Sequence, residues 1–166
     1  MLAWRMSKAK RSEDLTGTGA ALNGGRWNNV NDAALYMGLT HAITVLEILV
    51  HLNGAPSSDM KSVSFELPDD PSLYLQPAIS ELPTDWKRLP TGKQSMDFGS
   101  KWLKSNSHLG LIIPSAISPM SLNLMINPNH PAAAQIRIKE ERDFDLDPRL
   151  LALLLDAEKQ RGKLDG

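Results

Sequence analysis

Short segments of this chain alternate apolar with polar residues, and each segment suggests an element. Leu2-Ala3-Trp4-Arg5-Met6 predicts a first strand, followed by a polar stretch from Ser7 to Asp14. Ala33 to Met37 predicts a second strand. Thr40 to Leu52 predicts a helix with Thr40 as N-cap and Asn53-Gly54 as its stop. Around that helix Ala42, Ile43, Val45, Leu46, Ile48, Leu49, Val50 and Leu52 leave a narrow polar stripe of Thr40, Thr44, Glu47 and His51. A helix apolar around most of its girth is expected to be largely buried, with Glu47 where the stripe opens to solvent or to a polar cleft.

Further along, Val63, Phe65 and Leu67 alternate with Ser62, Ser64 and Glu66, the pattern of a half-buried strand, and Leu73 to Leu75 predicts another. Pro77 to Gln94 reads as a loop around Trp86, and Ser95 to Ser105 as a helix that packs Trp102 and Leu103. Leu109 to Ile113 predicts a buried strand delivering Pro114-Ser115-Ala116 at its end. Met120 to Ile126 is read as one or two helical turns, and Ile136-Arg137-Ile138 as a strand. Asp147-Pro148 marks a helix start, with Asp as N-cap and Pro at the first position. The leucine run that follows is expected in the core, with Leu151 and Leu154 buried.

Composition narrows the class. The 166 residues suit one domain, and 18 basic against 19 acidic residues leave a net charge of −1. That balance supplies no overall drive toward nucleic acid or an anionic membrane. Cysteine is absent, excluding disulfides and a cysteine nucleophile. No secretory signal or membrane-spanning run is apparent, so a cytoplasmic protein is expected.

The candidate chemistry centres on Gly24-Gly25-Arg26-Trp27-Asn28. Two glycines permit close approach, and Arg26 offers a fixed cation with a planar donor fork for a phosphate. Thr16-Gly17-Thr18-Gly19-Ala20-Ala21-Leu22 is not a dinucleotide fingerprint: Leu22 stands in the third glycine's place, and no buried strand precedes it. His41, His51, His108 and His130 show no metal-ligand spacing, so no metal site is expected. Ser115 lacks the flanking glycines of a nucleophile elbow. An arginine, a glutamate and a serine nevertheless suit cleavage of an N-glycosidic bond to a cationic leaving group, where a carboxylate stabilises an oxocarbenium-like state and Arg holds a pyrophosphate. NAD is a substrate of this kind.

Gly24-Gly25-Arg26-Trp27-Asn28, Leu46-Glu47 with Val50-His51-Leu52, Ile113-Pro114-Ser115-Ala116, and Asn127-Pro128 with His130-Pro131 together resemble the RES domain, named for its Arg, Glu and Ser. The resemblance implies a single domain over residues 1–166 and an α+β, ADP-ribosyltransferase-like fold, with small split β-sheets forming a cleft and helices packed outside. It implies a toxin of a bacterial toxin–antitoxin pair that degrades NAD, with inorganic phosphate or water as acceptor. NAD is then a substrate rather than a cofactor. The implied catalytic residues are Arg26, Glu47 and Ser115, and Arg26, Tyr36 and Ser115 are the implied substrate-binding residues. The implied partner is an Xre-family antitoxin that covers the active site, without direct nucleic-acid or membrane binding by this chain. Ser118-Pro119-Met120-Ser121 lacks the acidic residue often found there in the family. The alternatives are ADP-ribosyl transfer to a protein and a non-catalytic binding module. Against transfer to arginine, Val45 stands where such enzymes carry a second Glu.

Overall fold

A computed structural model describes residues 1–52 and 59–162. Seven strands form one sheet: β1 (Leu2–Lys8), β2 (Leu35–Gly38), β3 (Met60–Glu66), β4 (Tyr74–Leu75), β5 (Gly110–Pro114), β6 (Leu122–Ile126) and β7 (Arg137–Asp143), in the order β4-β5-β6-β2-β1-β3-β7. Only β4 and β5 run parallel. The sheet is continuous by a narrow margin, since β1 and β2 share a single register pair, Trp4 with Gly38, while β1 and β3 pair over seven residues. The two small sheets expected from the sequence are thus two halves of one sheet, joined at that pair.

Alternation along the strands divides the core between the two faces. Leu35, Met37, Leu124 and Ile126 bury on one face with Ala3, Val63 and Phe65. Tyr36 and Met125, one residue out of step, point to the other face, where Trp27, Trp86, Trp102, Leu111 and Ile113 gather. Among the described residues four α-helices complete the fold: α1 (Thr18–Asn23), α2 (His41–His51), α3 (Lys93–Ser105) and α4 (Pro148–Gly162). Trp102 and Leu103 of α3 are buried, as their spacing predicts. The short α1 was hidden in the glycine-rich stretch; its N-cap is Gly17, at φ 72°.

Three expectations are corrected. Residues 122–126, part of the segment read as helical turns, form β6, a central strand paired with both β5 and β2. Leu and Met favour helices when isolated, but pairing on both sides, with Leu124, Met125 and Ile126 fully buried, overrides that preference. The apolar helix α2 is not largely buried: only Ile43 and Thr44 are, and Val50 is 55% exposed. The leucines of α4 stay outside both core clusters, with Leu153 67% exposed and Leu151 and Leu154 half-buried. The cause is position, because α4 follows β7, an edge strand whose residues are all exposed. The start of α4 is as predicted, with Asp147 Oδ1 accepting the Arg149 N–H at 2.8 Å. The expected stop at Asn53-Gly54 lies outside the described residues.

Candidate active site

Helix α2 begins where Thr40 caps it, its hydroxyl oxygen accepting the Ile43 N–H at 3.2 Å. The helix descends onto the sheet over Gly38, where a Cβ would run into the Thr44 hydroxyl and come within 2.7 Å of the Ile43 side chain. Thr44 donates to the Thr40 carbonyl at 3.0 Å and to that of Trp4 in β1 at 3.3 Å. At the far end His51 Nδ1 donates to the Glu47 carbonyl at 2.7 Å. Thr44 is buried at the sheet and Glu47 half-buried beside it, so this part of the polar stripe does not face solvent.

One turn beyond Thr44, the Glu47 carboxylate meets two donors on one oxygen. Ser115 Oγ–H donates to Oε1 at 2.7 Å and Asn123 Nδ2–H donates to the same oxygen at 2.6 Å. Ser115 follows the last residue of β5 and is fully buried. Its hydroxyl also accepts the N–H groups of Ile117 and Ser118, at 3.1 and 3.2 Å, so the turn fixes where its proton points. Two of the three candidate residues, Glu47 and Ser115, are thus brought into contact across 68 residues of sequence. Asn123 was missed because its segment was read as helical. Read as a strand, the alternation Leu122-Asn123-Leu124 would have set it on the face opposite Leu124.

Arg26 stands in a second cluster. Its Nη1 donates to the backbone carbonyls of Trp86 at 2.7 Å and Arg88 at 3.0 Å. Among the described residues no carboxylate pairs with it. The loop that carries it is held by Asn28, fully buried, whose Nδ2 donates to the carbonyls of Ala20, Asn29 and Asp32. Tyr36 OH accepts the Trp27 N–H at 3.0 Å and donates to Asn28 Oδ1 at 2.7 Å. Burial pushes the Tyr36 phenol well above its ordinary value, against the opposing pull of the Trp27 N–H and the Arg26 charge, so it stays protonated as a donor. The space left by Gly25 is filled from within: a Cβ there would lie 2.7 Å from Asn28 Oδ1 and 2.8 Å from Tyr36 OH. The second glycine of the motif thus seats Tyr36 under the loop, where the sequence suggested room for a ligand.

Arg26 with Tyr36, and Glu47 with Ser115, form two groups that no hydrogen bond or ion pair links among the described residues. A hollow of about 430 Å³ opens over Trp4, His41, Ser62 and Ser64 at the start of α2, and one of about 260 Å³ lies against Tyr36, Arg5 and Arg11. Glu47, Ser115 and Arg26 line neither. Among the described residues no three His, Asp or Glu side chains converge as metal ligands do, and no helix is long and apolar enough to cross a membrane.

The architecture has a solved counterpart. A chain of the M. tuberculosis MbcT–MbcA toxin–antitoxin complex superposes with a TM-score of 0.69, covering 95% of this chain and 88% of that one, at 17% identity, which speaks to the fold. The RES domain family model matches residues 2–147. The Prs ADP-ribosylating toxin of Sphingobium sp. (strain YBL2) is 38% identical over 153 residues, 89% of this chain and 95% of that protein. The Toxin Res of Yersinia enterocolitica serotype O:8 is 36% identical over 137 residues, covering 81% and 89%. That of Pseudomonas putida is 35% identical over 153 residues, covering 90% and 99%. The chain belongs to the RES domain family.

Proposed function

We propose that this chain is the toxin of a toxin–antitoxin pair and that it consumes NAD by breaking the bond between nicotinamide and ribose. The observation that carries the chemistry is the separation of charge: a guanidinium held by backbone carbonyls and a carboxylate held by a hydroxyl and an amide, neither neutralised by an opposite charge among the described residues. Unpaired half-buried charges of opposite sign suit a substrate that carries an anionic pyrophosphate and a cationic ring on one molecule. Arg26 grips the pyrophosphate or an incoming phosphate. Glu47 stabilises positive charge growing on the ribose while the C–N electron pair leaves with nicotinamide, which departs neutral, and an oxygen of phosphate or water bonds to the same carbon, water then losing one proton to solvent. The Ser115 and Tyr36 hydroxyls are committed to Glu47 and to the Arg26 loop, so they work by holding those groups in place, and the ring of Tyr36 remains as a stacking surface.

The Sphingobium relative's name favours a second reading, transfer of ADP-ribose to a protein. One experiment separates the two: NAD incubated with the purified chain, with and without phosphate, analysed by mass. Free ADP-ribose marks water as acceptor, ADP-ribose phosphate marks phosphate, and ADP-ribose found only on added protein supports the second reading. Unchanged NAD in all arms, with no labelled protein, overturns both.

A further inference from the structure

Asn123 lies in the middle of the sheet, with Gly38 of β2 and Ile113 of β5 as its register partners. Its side chain makes one hydrogen bond among the described residues, the 2.6 Å donation to Glu47 Oε1. Its own Oδ1 is buried and has no donor. Turning the amide over would set that oxygen, an acceptor, against a carboxylate oxygen, so the charge on Glu47 decides which way the amide points. Asn123 is half-buried, and the two fully buried asparagines behave differently. Asn28 satisfies both ends of its amide, donating to three carbonyls and accepting from Tyr36. Asn127 donates to Leu103 O and Asn106 Oδ1 and accepts the Asn129 N–H. Those two hold loops together. An asparagine kept for the fold alone would be satisfied in the same way, because an orphaned buried carbonyl is costly.

The geometry points to Asn123 as a positioning residue of the active site: with Ser115 it pins Glu47 through Oε1, leaving Oε2 as the oxygen that meets the substrate. No described residue bonds Oε2. The absence of a side chain at Gly38 makes this possible, since it lets α2 settle low enough for Glu47 to reach the sheet. The kinetic part of this inference rests on the NAD reading; the contact itself does not.

The test is a double-mutant cycle in NAD consumption, joined to a measurement that needs no activity. Asn123→Leu, near in size but without a donor, is expected to lower kcat roughly 10- to 100-fold with KM for NAD changed less than about threefold. In a Glu47→Ala background the same change should cost less than about twofold, because nothing is left to position. An equal loss in both backgrounds, or wild-type kcat in Asn123→Leu, overturns the proposal. If Asn123→Leu does not fold, the Asn123 side-chain amide resonance still decides by NMR. Its Nδ2–H is expected downfield in the wild type and should move upfield in Glu47→Ala. A resonance indifferent to Glu47→Ala overturns the contact. A resonance that responds, in a wild-type chain that leaves NAD intact, sustains the positioning of Glu47 and overturns the NAD function instead.

Discussion

Arg26 and Glu47 are each half-buried with only neutral hydrogen-bond partners among the described residues, and this makes them sensitive to changes that preserve shape. Glu47→Gln keeps the length and the contacts to Ser115 and Asn123 within reach, so the fold should survive. The lost charge should cut NAD turnover roughly 10²-fold or more. Arg26→Lys keeps the charge but loses the fork that now grips two carbonyls while leaving other donors for an anion; it should raise KM for NAD. Steady-state kinetics on folded protein checks both, and wild-type turnover by Glu47→Gln would reject the mechanism. Tyr36→Phe removes an acceptor and a donor from the loop and should cost about 1–3 kcal/mol in chemical denaturation. Because the folded phenol's pKa is raised, its contribution is complete below the unfolded value of about 10 and is lost as pH rises beyond it. The fall in stability above that pH should be shallower in Tyr36→Phe than in the wild type.

At the scale of elements, most of the sheet was legible in the sequence. The alternation of Val63 and Phe65 with Ser62 and Ser64, the cap at Thr40 and the Asp147-Pro148 start each reflect a local rule, and each is met. The misreadings were of context. Residues 122–126 became a strand because two neighbours pair with them, and α2 lies partly exposed although it is apolar, facts that no window of ten residues contains. The candidate site followed the same division: Glu47 stood out on its helix stripe and Ser115 at a strand end, and resemblance to a family joined them, whereas Asn123 needed the register of β6 against β2 and β5. Gly38 connects element to site. Gly38→Ala would press a Cβ into Thr44 and Ile43 and lift α2 from the sheet. It should cost about 1–3 kcal/mol in denaturant melts and lower turnover further than that loss explains. An Ala variant with wild-type melting and wild-type kinetics would show that α2 does not depend on this close approach.

For the whole molecule, the proposed function as a toxin bears on how activity is contained. An Xre-family antitoxin that covers Arg26 and Glu47 should abolish NAD loss in the purified complex, and removing it should restore the loss. A complex that turns NAD over as fast as the free chain would rule out occlusion. The exposed leucines of α4 lie outside either core cluster.

The order in which the site's parts occur along the chain has a further consequence, in time. Glu47 leaves the ribosome early, but the donors that orient it come 68 and 76 residues later. At about 5–20 residues per second, roughly 4–15 s of synthesis separate Glu47 from Asn123. Until β5 and β6 have emerged and paired, the nascent chain carries its carboxylate without the two donors that orient it. Under the proposed function, a message cut or stalled before the Ser115 codon would yield a fragment without activity, and an antitoxin would have those seconds in which to meet the chain.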